Sequence, residues 1–130
     1  MFKIVTMKVL IADSSPQITK RLRDMIKTEN ELSIIYEAAN YESALQLFIE
    51  NNPAVVLLDM DFEGKESIRL LQSIKETGYQ TTIVILSIHI TTAIIDHYKL
   101  LGATIFLNKF LEFEKIPEII SGIEEKHSQL

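Results

Sequence analysis

The 130-residue chain contains no cysteine. That absence removes a disulfide framework, a thiolate metal site and a thiol nucleophile together, and it fits a reducing compartment. Basic residues are in the minority, 13 Lys+Arg against 18 Asp+Glu, leaving a net charge of −5. The basic residues are also scattered, so there is no electrostatic footprint for a polyphosphate backbone, and no nucleic acid is expected as a partner of this domain. Long apolar runs are missing too. The longest is Ala54 to Leu58, far below the ~20 residues of a bilayer crossing. The opening Met1 to Met7 lacks the apolar stretch and small-residue cleavage site of a signal peptide. No internal repeat, low-complexity segment or linker is present. These absences predict a soluble, cytoplasmic protein with no membrane partner.

Apolar content is ample, at 47% hydrophobic residues. At this length one core buries roughly two-thirds of the unfolded surface, so a single domain over 1–130, with its core at about 7–127, needs neither staple nor metal to fold. Short apolar runs rich in Val, Ile and Leu alternate with amphipathic stretches. Strands are predicted over 8–12, 33–38, 54–58, 83–86 and 104–107. Ser14-Ser15-Pro16 supplies a cap and a proline for a first helix to about Thr28, in which Ile18, Leu22, Met25 and Ile26 form one stripe. Asn40 caps a second helix carrying Tyr41, Ala44, Leu45 and Phe48. A third is expected over about 67–76 and a fourth over 91–101. The residues after Lys109 read as one last helix. Connections too long for hairpins predict an α/β, doubly wound parallel sheet with helices on both faces.

In such sheets ligands bind beyond the carboxyl ends of the strands. The residues directly after the apolar runs are Asp13, Asp59, Ser87 and, after Asn108, Lys109. Each alone has an ordinary explanation as a turn, cap or solvated residue. Together they deliver two carboxylates, a hydroxyl and an ammonium to one edge. That set suits phosphoryl transfer to a carboxylate, which needs a nucleophile, a cation to screen carboxylate from phosphate, and donors for the phosphoryl oxygens. Asp59 on a central strand is the candidate nucleophile. Asp13 is the candidate Mg2+ ligand, because Mg2+ takes only one or two protein carboxylates. Lys109 would pair with the phosphoryl group and Ser87 would donate to it.

The acidic turn of Val9 to Pro16, the segment Pro53 to Met60, Ser87, and Gly102-Ala103-x-x-Phe106-Leu107-x-Lys109 resemble the receiver domain of two-component response regulators, the chemotaxis-Y-like family, over essentially the whole chain. The resemblance implies a (βα)5 flavodoxin-like sandwich with strand order 2-1-3-4-5. It implies that Asp59 accepts a phosphoryl group from a histidine kinase or phosphotransfer protein, that the backbone carbonyl of Asp61 joins Asp13 and Asp59 at Mg2+, and that Ser87 and Phe106 act as switch residues. Output would pass to a downstream protein through the fourth helix, fifth strand and fifth helix, with a homodimer as a further option. An apolar patch around Ile90 and Ile95 would suit such a contact. If the chain is complete, its signal leaves only through its own surface.

Departures from the family pattern are equally specific. Ser14 stands where a second acidic residue is usual, and a hydroxyl is a poorer Mg2+ ligand, so this is a weakened metal position. Glu63 and Phe110 replace prolines, Ile88 replaces a small residue on the phosphate's path to Asp59, and Ser67 replaces a glycine. An atypical phosphorylatable site and a phosphorylation-independent, degenerate receiver therefore both stay open. Asp59-Met60-Asp61 also matches the D-x-D motif of haloacid-dehalogenase-like phosphatases, but no acidic pair for the metal follows Lys109 at a strand end. A flavin binder would need a glycine-rich or hydroxyl-rich phosphate loop in place of Asp13. A structural α/β adaptor without chemistry merges with the degenerate receiver. His89, His97 and His127 form no local metal motif, while Glu112 to Lys115 and Glu124 to Lys126 read as solvated helix faces.

Overall fold

The structure, a computed structural model, describes residues 7–64 and 66–128, with side chains described to residue 123. The segment 1–6 read above for a signal sequence, and the side chains of Glu124, Glu125, Lys126 and His127, lie outside the described residues. Strands β1 (Lys8–Ala12), β2 (Ile34–Ala38), β3 (Val55–Asp59), β4 (Thr82–Ser87) and β5 (Ile105–Asn108) alternate with helices α1 (Pro16–Glu29), α2 (Tyr41–Asn51), α3 (Glu66–Thr77), α4 (Thr92–Leu100) and α5 (Ile116–Ser128). The sheet is entirely parallel in the order β2-β1-β3-β4-β5. The predicted doubly wound fold is therefore the observed one.

Alternation along each strand divides the core in two. Leu10, Ala12, Val56, Leu58, Ile83 and Ile85 point into a layer built with α2, α3 and Tyr98 of α4. Val9, Ile11, Val55, Leu57, Val84 and Leu86 point into the opposite layer, completed by Leu22 and Ile26 of α1 and Ile116 and Ile120 of α5. Because both faces are covered, β3 is buried at every position, which is why its sequence reads as a continuous apolar run rather than an alternating one. Among the described residues no helix is long and apolar enough to cross a membrane.

The caps follow the sequence closely. Ser15 and Asn40 accept from the amides of Ile18 and Ser43, and Pro16 opens α1. Boundaries shift where hydrogen bonding overrides hydropathy. Asp59 pairs with Leu86, and Ser87 with Asn108, inside the ladder, so β3 and β4 each run one polar residue past their apolar cores. Ala54 falls outside β3.

The last helix needs a larger correction. Residues 109–112 form a turn, Phe113–Lys115 a single 3₁₀ turn, and α5 begins only at Ile116. Asn108 Oδ1 accepts from the amides of Phe110 and Leu111, which diverts the chain from a helical path. Glu112, read as a solvated residue, closes this turn instead: its Oε1 accepts from the Asn108 amide at 3.0 Å and its Oε2 from Lys115 Nζ at 2.7 Å. The proposed apolar patch also shrinks, since Ile90 and Ile95 are both half-buried.

Candidate phosphoacceptor site

Asp13, Asp59 and Lys109 meet at the carboxyl edge of the sheet. Lys109 follows β5, and its amide donates to the Ser87 carbonyl at 3.0 Å, so β4 fixes the direction from which its side chain starts. Its Nζ lies 2.9 Å from Asp13 Oδ2 and 3.0 Å from Asp59 Oδ2. The carboxylates' other oxygens are held by backbone. Asp13 Oδ1 accepts from the Ser15 amide at 2.8 Å, and Asp59 Oδ1 from the Asp61 amide at 3.1 Å. Asp13 is 3% exposed and Asp59 6% exposed, so both carboxylates are largely shielded from solvent. Burial on its own would lower the Lys109 pKa, but the ion pairs of its ammonium with Asp13 and Asp59 outweigh that and hold it above the ordinary lysine value. Two carboxylates facing one ammonium leave a formal excess of one negative charge.

The other residues singled out from the sequence lie around this cluster without joining it. Ser87 is buried, but its hydroxyl accepts from the His89 amide at 3.0 Å and donates to the His89 carbonyl at 3.2 Å. It is thus engaged with its own loop. Ser14 and Asp61 are exposed, placing the Asp61 carboxylate at the rim. Ile88 is 44% exposed and is not buried over the acidic pair. Phe106 is half-buried against the α2–α3–α4 core layer.

Two departures acquire a structural reason. Glu63 has φ +45, which the proline ring forbids. Its Oε2 accepts from the Tyr41 amide at 2.8 Å, tying the loop after Asp59 to the first turn of α2. Glu63→Pro is therefore expected to lose about 2 kcal/mol of stability in urea unfolding, even though proline is the more usual residue there. Proline at Phe110 would delete the amide that bonds Asn108 Oδ1. Nothing in the composition of Glu63-Gly64 beyond a turn signal announced the first contact.

A family model described as the response regulator receiver domain matches residues 9–121. The chain belongs to the receiver domains of two-component response regulators. A nitrate/nitrite response regulator homologue of Haemophilus influenzae is 22% identical over 121 residues, 92% of this chain and 57% of that protein. A protein-glutamate methylesterase/protein-glutamine glutaminase of Syntrophomonas wolfei is 32% identical over 81 residues, 62% of this chain but 23% of that protein. This receiver thus spans between about a quarter and just over half the length of those two relatives. Among solved structures, the signal receiver domain of a putative Luxo repressor protein from Vibrio parahaemolyticus superposes with TM-score 0.83 at 18% identity, covering 96% of this chain and 94% of that one. Chemotaxis protein CheY4 of Vibrio cholerae gives TM-score 0.82 at 18% identity, covering 92% and 99%. The phosphatase and adaptor readings are not favoured.

Receivers generally bind Mg2+ at their phosphorylation site, and the donors present here fit that ion in kind. Two carboxylates, Asp13 and Asp59, converge on one point, and Mg2+ uses one or two such ligands while retaining water. Among the described residues no third acidic or imidazole side chain joins them. The receiver therefore offers one carboxylate fewer than the usual pattern, at the position of Ser14.

Proposed function

We propose that Asp59 is the phosphoacceptor of this receiver and that Asp13 and Lys109 complete its site. The observation that carries the reading is the Lys109 ammonium, placed 2.9 Å and 3.0 Å from two buried carboxylates at the edge where doubly wound sheets bind ligands. In the reaction, Asp59 Oδ2 forms a bond to phosphorus as the P–N bond of a phosphohistidine breaks, and the bond's electron pair leaves with the imidazole. The donor would be a histidine kinase or a phosphotransfer protein. Lys109 exchanges its contact with Asp59 Oδ2 for a phosphoryl oxygen. The Asp61 amide, already aimed at Asp59, keeps the carboxylate oriented. Ser87 would reach the phosphoryl group only after releasing the His89 backbone, which gives its switch role a concrete first step. Asp13, Asp59 and the Asp61 carbonyl would hold Mg2+, which when bound screens the carboxylate from the incoming phosphoryl oxygens. The whole chain, with its core at about 7–127, is taken as one receiver unit in the cytoplasm. It signals to a downstream protein through α4, β5 and α5 and catalyses no turnover beyond its own phosphotransfer and dephosphorylation.

The test is exposure to acetyl phosphate with Mg2+ and to beryllofluoride, followed by intact mass and NMR. A single phosphoryl adduct is expected on the wild-type chain and none on Asp59→Asn. Absence of any adduct, together with absence of Mg2+ binding at millimolar concentration, would identify a phosphorylation-independent receiver. That second reading draws on the exposed Ser14 and on the engagement of Ser87 with its own loop.

A further inference from the structure

Ser67 and Tyr98 are buried hydroxyls, 1% and 5% exposed, and neither takes part in the chemistry described above. The Ser67 hydroxyl donates to the Met60 carbonyl at 2.7 Å, and its Oγ lies 3.1 Å from Tyr98 Oη. A serine has one hydroxyl proton. With that proton committed to Met60, the contact with Tyr98 has a fixed direction: Tyr98 donates to Ser67, and Ser67 donates to Met60. Donors in series polarise one another, so in a dry setting the two bonds act as a unit.

The end of this chain of hydroxyls matters because of what shares its peptide. The Met60 carbonyl and the Asp61 amide belong to one planar group. The Asp61 amide donates to Asp59 Oδ1 at 3.1 Å. Ser67 therefore grips one side of a rigid plane whose other side holds the Asp59 carboxylate. The Met60 amide, donating to the Leu86 carbonyl at 2.9 Å, anchors the preceding peptide to β4. Between that anchor and the turn closed by the Gly64 amide on the Asp61 carbonyl at 3.1 Å, the Met60–Asp61 plane has no backbone partner among the described residues, so side chains set its orientation.

We propose that Ser67 and Tyr98 are positioning residues. Through the Met60–Asp61 peptide they orient the Asp59 carboxylate and make that orientation depend on where α4 sits. A glycine at position 67, the more usual residue, could supply no such bond, so this receiver would carry a link from helix to acceptor of its own. The orienting role rests on Asp59 being the acceptor, whereas the mechanical link does not.

The link is tested by amide hydrogen exchange on Tyr98→Phe, Ser67→Ala and the double variant. Tyr98→Phe removes one oxygen and keeps the ring, so it preserves the packing of α4 if Ser67→Ala should fold poorly. The Asp61 amide is expected to exchange about tenfold faster in each single variant, the scale of one lost hydrogen bond. The double variant should exchange no faster than the quicker single one, because both substitutions break the same chain. The Ile11 and Leu22 amides serve as controls for any loss of global stability and should accelerate less than the Asp61 amide. An unchanged Asp61 amide in Tyr98→Phe, or equal acceleration at Ile11 and Leu22, would overturn the proposal. Adduct formation from acetyl phosphate should slow in Tyr98→Phe by a similar factor at a temperature where the variant remains fully folded. If the wild-type chain forms no adduct, the acceptor reading fails, and the exchange result by itself decides whether the hydroxyls hold the peptide.

Discussion

Lys109→Met is expected to unfold with about 3 kcal/mol less free energy than the wild-type chain, the scale of removing one partner from a buried ion pair. The physical reason is asymmetry within the cluster. Lys109 faces Asp13 Oδ2 and Asp59 Oδ2 at 2.9 Å and 3.0 Å, so its loss leaves two buried carboxylates looking at one another without a counter-charge. Asp59→Asn removes a like charge instead, and its stability should be equal to or above that of the wild type. A pH series checks the sign. Because the ion pairs with both carboxylates, acting against burial, raise the Lys109 pKa, its contribution is complete below the ordinary lysine value of about 10.4 and is lost as pH rises through the higher folded value. The stability gap between wild type and Lys109→Met should thus be flat from neutral pH upward and, as the pH is raised, close only in strongly alkaline solution. Urea unfolding at a series of pH values measures this. A gap that closes when the pH is raised only slightly above neutral would show that the bridge does not form in solution.

Ser14→Asp should tighten Mg2+ binding by about tenfold, because it restores a negative charge beside an already acidic pair. A unit charge a few ångströms from a divalent ion in a partly hydrated site contributes on the order of 1 to 2 kcal/mol. Ser14 is exposed and follows Asp13 directly, so the added carboxylate reaches the same edge without entering the core. Titration of Mg2+ by calorimetry or NMR gives the two constants. Equal affinities would mean that residue 14 lies outside the cation's reach, and the proposal that Ser14 weakens metal binding would fall. The Asp13→Asn variant sets the opposite limit, since it removes a carboxylate that the Ser15 amide and Lys109 hold in place.

Hydropathy and strand-end chemistry carried far in this chain. Continuous apolar runs identified the central strands because both sheet faces are covered, and the residue after each run predicted the edge at which Asp13, Asp59 and Lys109 meet. Ser15 and Asn40 were legible as caps because capping is a local bargain between one side chain and the amides two or three residues on. The errors arose where distant or competing hydrogen bonds decide. Asn108 captures the Phe110 and Leu111 amides and Glu112 returns to the Asn108 amide, so the last helix starts at Ile116 despite helical spacing before it. Ser87 ends a strand as expected, yet its hydroxyl turns to the His89 backbone, a choice no spacing rule records.

The sequence by itself determined the fold class, the sheet edge at which Asp13, Asp59 and Lys109 meet and the identity of the acceptor candidate, because these depend on periodicity and on which residue follows each strand. Only the tertiary structure decided that Lys109 bridges both carboxylates, that Glu63 ties its loop to α2, and that Tyr98 reaches Ser67 from 31 residues away. Those contacts join elements separated by whole crossovers. Their geometry depends on how the helices settle on the sheet, which burial of the entire core sets and no local pattern encodes.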